Sequence, residues 1–352
     1  MKKLAQIGCG GIGSYHLDHF LKFDDIELVG FCDIIPERAE SFVKRAGRGR
    51  AFTNFRDMYD AVKPDMVFIG IPPYCHGEIE METIRRGIPM FVEKPVALSL
   101  DLARSIRDEV AKKGLITAVG FQCRYDNINT AALDFIGKNP IVTAEASRVG
   151  SCPETPWFRK KDLSGGQVVE QTVHQFDTLR YLLGEPESVY SVARRGFITQ
   201  AELPGYDTDD TSTTLIKFKN GVCCSMMTGL YSTNGASWDS KMTFGSRSAR
   251  MDYVLTERVS IYGLTEADLA EDTGGAVVKG DGVQRRNENE VGVTVKCSVD
   301  FGVLCDRTFI EAVQTGDGSK IRSPYADAVK TLAFVLACNK SMETGLPVKV
   351  EG

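Results

Sequence analysis

A short strand, Leu4-Ala5-Gln6-Ile7, runs into Gly8-Cys9-Gly10-Gly11-Ile12-Gly13, and the residues after it, Ser14 to Lys22, have apolar positions suited to a helix. Strand, G-x-G-x-x-G and helix in that order constrain the fold more than any other feature of the chain. The glycines allow a tight turn, the close approach of a pyrophosphate and the packing of helix on strand, and the helix N-terminus then faces the phosphates. Alone, the pattern is also met in plain glycine turns. Here a second strand, Ile26 to Cys32, ends in Asp33, twenty residues beyond Gly13, where an acid takes the adenosine ribose hydroxyls. A carboxylate there repels a 2′-phosphate, and Ile34 follows it rather than an arginine or serine, so NAD is expected over NADP. Arg38, close enough to meet a phosphate or to stack on adenine, is the one residue that pulls the other way.

The alternation continues. Pro36 to Ala46 and Phe55 to Val62 read as helices, Met66 to Ile71 as a buried strand, Gly77 to Arg86 and Leu100 to Lys113 as helices, and Ile116 to Gly120 as a strand. Strands separated by helices imply βαβ units with right-handed crossovers and a mostly parallel sheet. The turn Pro72-Pro73-Tyr74-Cys75-His76 follows a strand and is expected to border the cofactor; His76 suits a cofactor or substrate contact and equally a helix cap. The length of 352 residues suggests about two domains. A net charge of -5 and a pI near 5.6 argue against a nucleic-acid partner. No stretch approaches the roughly 18 apolar residues of a membrane helix. Ten cysteines without a CxxC pair, behind a start that lacks a secretion signal, are expected to be free buried thiols of a cytoplasmic protein. The histidines, His16, His19, His76 and His174, form no zinc motif, and no metal is expected. His16 and His19, three apart on the first helix, read as a solvated face.

Pro89-Met90-Phe91-Val92 runs straight into Glu93-Lys94-Pro95. The proline keeps Lys94 out of the α region, and a lysine at the C-terminal end of a buried parallel strand stands where open α/β sheets place their ligands. On these residues alone, a solvated lysine near a turn fits at least as well. Taken together, however, the glycine turn, Pro72-Pro73-Tyr74-Cys75-His76 and Glu93-Lys94-Pro95 resemble, in order and spacing, the Gfo/Idh/MocA oxidoreductase family over nearly the whole chain. The resemblance implies an N-terminal Rossmann domain, residues 1–121, and a C-terminal α+β domain, residues 122–352, on a large open mostly antiparallel sheet. The last helix, about 324–339, is expected to pack back on the first domain. It further implies that Glu93 and Lys94 lie at the cofactor, with Lys94 beside the nicotinamide and the reacting hydroxyl, and that the C-terminal sheets pair into homodimers or homotetramers.

Past Gly165-Gly166, a single helix is expected from Gln167 to Leu183. Val169, Val173, Phe176 and Leu183 form an apolar stripe and Glu170, His174, Asp177 and Tyr181 a polar one. A structural Glu-His pair on a solvated face fits this pattern. The resemblance implies more, since relatives carry Gly-Gly, an acid, a histidine four residues on and an aspartate three further, with acid and histidine at the substrate. Glu170 stands where aspartate is usual. Arg124 and Tyr125 fall in a region that lines the cleft in relatives, and Trp157 and Arg159 sit in a loop suited to covering a sugar. Gly274-Gly275 and Gly280-Asp281-Gly282 read as loops.

The expected activity is hydride transfer between NAD and a ring hydroxyl of a sugar, inositol or related polyol, with Lys94, His174 and Glu170 as the chemical groups. The cofactor would be held by Gly8, Gly10, Gly11, Ile12, Gly13, Asp33, Arg38, Pro72, Pro73, His76, Glu93 and Lys94. The substrate would meet Arg124, Tyr125, Trp157, Arg159 and Asp177. Two rivals keep the cofactor. One cycles a bound NAD without net redox, giving epimerisation, elimination or glycoside cleavage; the other is a non-catalytic dinucleotide-binding regulator.

Overall fold

The computed structural model describes residues 1–233, 235–264, 276–278 and 291–351. The chain divides into two compact units. The first comprises Met1–Tyr125, Asp162–Ser164 and Asp300–Leu332; the second comprises Asp126–Lys161, Gly165–Val299 and Ala333–Gly352.

Six parallel strands form the sheet of the first unit: β1 (Lys2–Ile7), β2 (Ile26–Cys32), β3 (Arg50–Phe52), β4 (Met66–Ile69), β5 (Met90–Val92) and β6 (Thr117–Val119), in the order β3-β2-β1-β4-β5-β6. Every residue of β4, β5 and β6 is buried, as expected of parallel strands covered on both faces. The crossovers are α1 (Gly11–Phe20), α2 (Pro36–Ala46), α3 (Phe55–Val62), α4 (Glu78–Arg85) and α5 (Leu100–Lys113). Their ends follow local chemistry. Asn54 caps α3 by accepting the Arg56 N–H, Ser99 caps α5 through the Leu102 N–H, and Gly114, left-handed, ends it. β3 has no signal in the sequence because it is a three-residue edge strand, mostly exposed. The Phe301–Thr315 helix belongs to this unit. Its Cys305, Phe309, Ile310 and Val313 join Leu17, Phe20, Phe68 and Phe91 in one apolar core.

The second unit is built on a ten-stranded sheet: β7 (Thr143–Val149), β8 (Pro186–Arg194), β9 (Thr211–Phe218), β10 (Cys223–Gly229), β11 (Trp238–Gly245), β12 (Arg250–Val254), β13 (Arg258–Leu264), β14 (Ala276–Val278), β15 (Val291–Lys296) and β16 (Val348–Lys349). Its order is β14-β15-β13-β12-β11-β7-β10-β9-β8-β16, and among these neighbours only β7 and β10 run parallel. α6 (Ile128–Lys138), which the sequence left unread, packs on one side of this unit. Alternation along β9 buries Ser212, Thr214, Ile216 and Phe218 and exposes the residues between them. Register carries the exposed row across the sheet, pairing Tyr190 with Leu215 and Leu215 with Ser225.

The long helix expected from Gln167 is interrupted. It forms α7 (Lys161–Ser164) ahead of the glycine pair, then α8 (Gln167–Glu170), a break at Gln171-Thr172, and α9 (Val173–Leu183). The carbonyl of Gln167 accepts the N–H groups of both Gln171 and Thr172 and the Thr172 hydroxyl. That extra residue in the turn resets the helical phase between Glu170 and His174. The apolar stripe is buried as expected, with Phe176 5.1 Å from Phe334. The paired glycines 274–275 and 280–282 lie outside the described residues. Among the described residues no helix is long and apolar enough to cross a membrane.

Candidate functional site

The glycine turn closes where β1 ends, at the point of the sheet where strand order reverses between β1 and β4. Gly8 has φ +91°, and a Cβ there would stand 2.0 Å from the Gly70 carbonyl oxygen; one at Gly13 would stand 2.1 Å from the Gly8 carbonyl oxygen. These two glycines are therefore required by the fold. At Gly10 and Gly11 a Cβ would meet no protein atom within 4 Å, so the turn leaves open space beside the N-terminus of α1. Such a cradle of backbone N–H groups fits a pyrophosphate. Asp33 ends β2 beside it. One carboxylate oxygen accepts the Cys9 N–H at 2.8 Å and the other the Ile35 N–H at 2.9 Å. Lone pairs remain on both oxygens for ribose hydroxyls. Ile12, Ile34 and Arg38 are exposed nearby in the chain.

Pro72 and Pro73 lie at the C-terminal end of β4, where Pro73 opens a short 3-10 turn. His76 is buried, its Nδ1 2.6 Å from Glu80, while Glu80 also accepts the Gly77 N–H at the start of α4. The Nε2 of His76 is buried without a hydrogen-bond partner. Lys94 follows β5, half-buried, ahead of a cis Lys94–Pro95 bond. The carboxylate of Glu93 turns inward, 4% exposed.

The histidines of α1 depart from expectation. His16 and His19 are 1% and 4% exposed, not on a solvated face. Apolar surroundings reach them because α1 lies between the sheet and the Phe301–Thr315 helix, with the His16 ring centroid 4.4 Å from that of Phe68. His16 Nδ1 is 2.8 Å from both Asp306 oxygens, its Nε2 3.0 Å from Glu93, and His19 Nδ1 2.7 Å from Asp306. Burial alone would lower the His16 pKa, but Asp306 and then Glu93 outweigh it and raise it to about 9. His16, His19 and Asp306 offer ligand atoms all within 4.8 Å of one another, a spacing open to a metal ion. The short N···O distances instead describe imidazole N–H groups donating to a carboxylate. Asp306 stands 290 residues from His16, so no local pattern announces the pair.

Arg124 and Tyr125 are engaged inside the first unit. The guanidinium of Arg124 lies 2.6 Å from Asp327 and donates to the Arg322 carbonyl, and the Tyr125 hydroxyl accepts the Arg322 N–H. In the second unit, Gly165 and Gly166 both take positive φ ahead of α8, which the sequence pair foreshadows. Glu170 ends α8, 7% exposed, and accepts from Gln171 Nε2 at 2.8 Å. Gln171 in turn accepts from Arg148 at 3.4 Å, a contact that sequence reasoning missed because Arg148 lies on β7. Burial pushes the Arg148 guanidinium downward in pKa, and the charge of Glu170 opposes that. His174, half-buried, opens α9; Asp177 in the same helix is 1% exposed beside Arg180. Trp157 and Arg159 lie on a 3-10 turn, and Arg159 keeps a buried Nε without a hydrogen-bond partner.

Comparison with known proteins adds an independent line. A family model described as an oxidoreductase family with an NAD-binding Rossmann fold matches residues 2–121, and one for the GFO/IDH/MocA C-terminal domain matches residues 131–263. Myo-inositol 2-dehydrogenase of Thermotoga maritima is 25% identical over 99% of this chain and 98% of its own length. Glucose-6-phosphate 3-dehydrogenase of Bacillus subtilis is 34% identical over 52% of this chain and 54% of its own. Levoglucosan dehydrogenase, solved with NADH and levoglucosan, superposes with a TM-score of 0.83 at 18% identity, covering 100% of both chains, a likeness of fold.

Proposed function

The chain belongs to the Gfo/Idh/MocA family of NAD-binding oxidoreductases, and from that premise we propose that it moves a hydride between NAD and a ring hydroxyl of a sugar, inositol or related polyol. The observation that carries the reading is the open cradle at Gly10 and Gly11, on the same edge of the parallel sheet as Asp33 and Lys94. Full-length and partial relatives named as dehydrogenases of an inositol and of a sugar phosphate support the substrate class.

When bound, NAD supplies the hydride acceptor or donor that no side chain offers. The protein's own residues do the rest. Backbone N–H groups at the start of α1 bind the pyrophosphate, and Asp33 takes the adenosine ribose hydroxyls. His174 receives the hydroxyl proton as general base, and Lys94 stabilises the developing alkoxide; on these residue types the two roles are interchangeable. Glu170 binds a neighbouring hydroxyl or orients His174. Its extra methylene relative to aspartate, and its link through Gln171 to Arg148, make it the position at which substrate choice is expected to differ from relatives. Trp157 and Arg159 cover the sugar, while Arg124 and Tyr125 are buried against Asp327 and Arg322 and Asp177 is buried beside Arg180.

Two wider readings accompany this. None of the ten cysteines is in a disulfide, in keeping with a reducing, cytoplasmic compartment. The exposed face of the ten-stranded sheet, where Tyr190, Val192 and Leu215 are 38%, 49% and 56% exposed, is proposed to pair with a second copy.

The test is NAD reduction by the purified chain over a panel of inositols, sugars, sugar acids and glycosides, with NADP alongside. Reduction of NAD by at least one cyclic polyol, and weaker use of NADP, is expected. Tight NAD binding with no reduction across the panel overturns the dehydrogenase reading.

A further inference from the structure

We propose that His16 is a positioning residue for Lys94: clamped between Asp306 and Glu93, it holds the Glu93 carboxylate and through it the backbone from which Lys94 projects. The inference rests on the reading of Lys94 as a catalytic group.

Glu93 immediately precedes Lys94, and its two oxygens face different ways. One stands 3.0 Å from His16 Nε2; the other accepts the Lys94 N–H at 3.1 Å. The carboxylate packs over Gly120, where a Cβ would come within 2.1 Å of Glu93 Oε1, so that space is reserved for it. His16 is held in turn by Asp306, 1% exposed, from the Phe301–Thr315 helix. Ionised carboxylates only accept hydrogen bonds, so an imidazole between two of them must donate from both nitrogens and carry a positive charge. The raised His16 pKa agrees.

The ionisable groups facing His16 are Glu93 beyond β5, Asp306 from the Phe301–Thr315 helix, and His19 on its own helix beyond Asp306; Tyr15 and Cys305 lie close by. A chain of buried ions of this kind adds little stability over well-packed apolar residues. What it does supply is register. The helix whose N-terminus faces the open cradle is the helix that grips Glu93. The seat of the cofactor and the lysine beside it are therefore built on one connected path, in which each link is a hydrogen bond of 3.1 Å or less.

The experiment uses the full chain with His16→Gln and Asp306→Asn, and His19→Gln as the outlying member. Nitrogen-15 spectra of the wild-type imidazoles should show both His16 nitrogens protonated through neutral pH; a singly protonated ring overturns the proposal. Hydrogen exchange at the Lys94 amide should quicken in His16→Gln while the β1 amides stay protected. Unchanged exchange, or a rise shared equally by β1, overturns it, the latter marking a merely structural group. With a substrate from the panel, kcat should fall roughly tenfold to a hundredfold, the cost of a misplaced catalytic group, with NAD affinity within about twofold. An unchanged kcat overturns the proposal. Asp306→Asn, which preserves shape, gives the same readouts if His16→Gln folds poorly. Stoichiometric zinc that removes the His16 and His19 N–H signals would make the cluster a metal site instead. If no substrate is found, the dehydrogenase reading fails, while the spectra and the exchange rates still decide the role of His16.

Discussion

Lys94 and His16 show how differently two residues of one site express themselves. Lys94→Ala is expected to lower kcat roughly 100- to 10,000-fold, the usual weight of a proton-handling group, and to leave NAD affinity within about twofold; stopped-flow turnover with NAD titration checks both. His16, besides the positioning role proposed for it, makes stability depend on pH. Its pKa rises on folding from 6.5 to about 9, so its contribution is complete below about pH 6.5 and is lost as pH rises through about 9. On the scale of 1.36 kcal/mol per unit this is of order 3 kcal/mol. Urea unfolding between pH 6 and 10 should show a decline in wild type that Asp306→Asn largely removes. Lys94 was visible in the sequence because its neighbours Glu93 and Pro95 form a local motif. His16 was misread because its partner Asp306 is close only in space.

At the level of elements, the glycine turn separates what the fold needs from what a ligand needs. Gly8→Ala should be destabilising by several kcal/mol or prevent folding, since a Cβ at φ +91° would stand 2.0 Å from a backbone oxygen. Gly10→Ala, with φ -85° and no atom within 4 Å of the added Cβ, should keep stability within about 0.5 kcal/mol. NAD affinity should nonetheless fall about tenfold, or about 1.4 kcal/mol, by calorimetric titration. Both glycines read the same in sequence, because G-x-G-x-x-G records their spacing and not what surrounds each one. The break between α8 and α9 was invisible for a similar reason. Side-chain periodicity across Gln167 to Leu183 is close to helical, while the extra residue is stabilised by Thr172 bonding back to Gln167 and by Gln167 bonding to Ser212 and Thr228, two other strands.

For the whole molecule, the alternating βαβ pattern predicted all of the first sheet but its edge strand β3, because each of the other strands and its helix announces itself within about ten residues. The second sheet is less legible. Its strands meet across long separations, as β7 does with β10 and β11, so no pattern of near neighbours announces which strand pairs with which. Its open face makes the largest-scale prediction: Leu215→Lys should turn the proposed oligomer into a monomer by sedimentation while NAD affinity stays unchanged. A chain that is monomeric before substitution would refute the second-copy reading. The two units also each draw on separated stretches, with 300–332 counted in the first, so no single cut in the sequence yields either unit.

The sequence by itself determined the dinucleotide-binding half, because strand, glycine turn and helix are patterns of near neighbours, and it carried the motifs around Lys94 and His174 whose resemblance to the family gave those residues their expected roles. Tertiary structure alone decided which glycines face empty space, that Arg124 and Tyr125 turn to Asp327 and Arg322, and that His16 lies between Glu93 and Asp306. Those outcomes depend on which distant groups folding brings within hydrogen-bond reach, and in a low-dielectric interior that proximity sets both charge state and role.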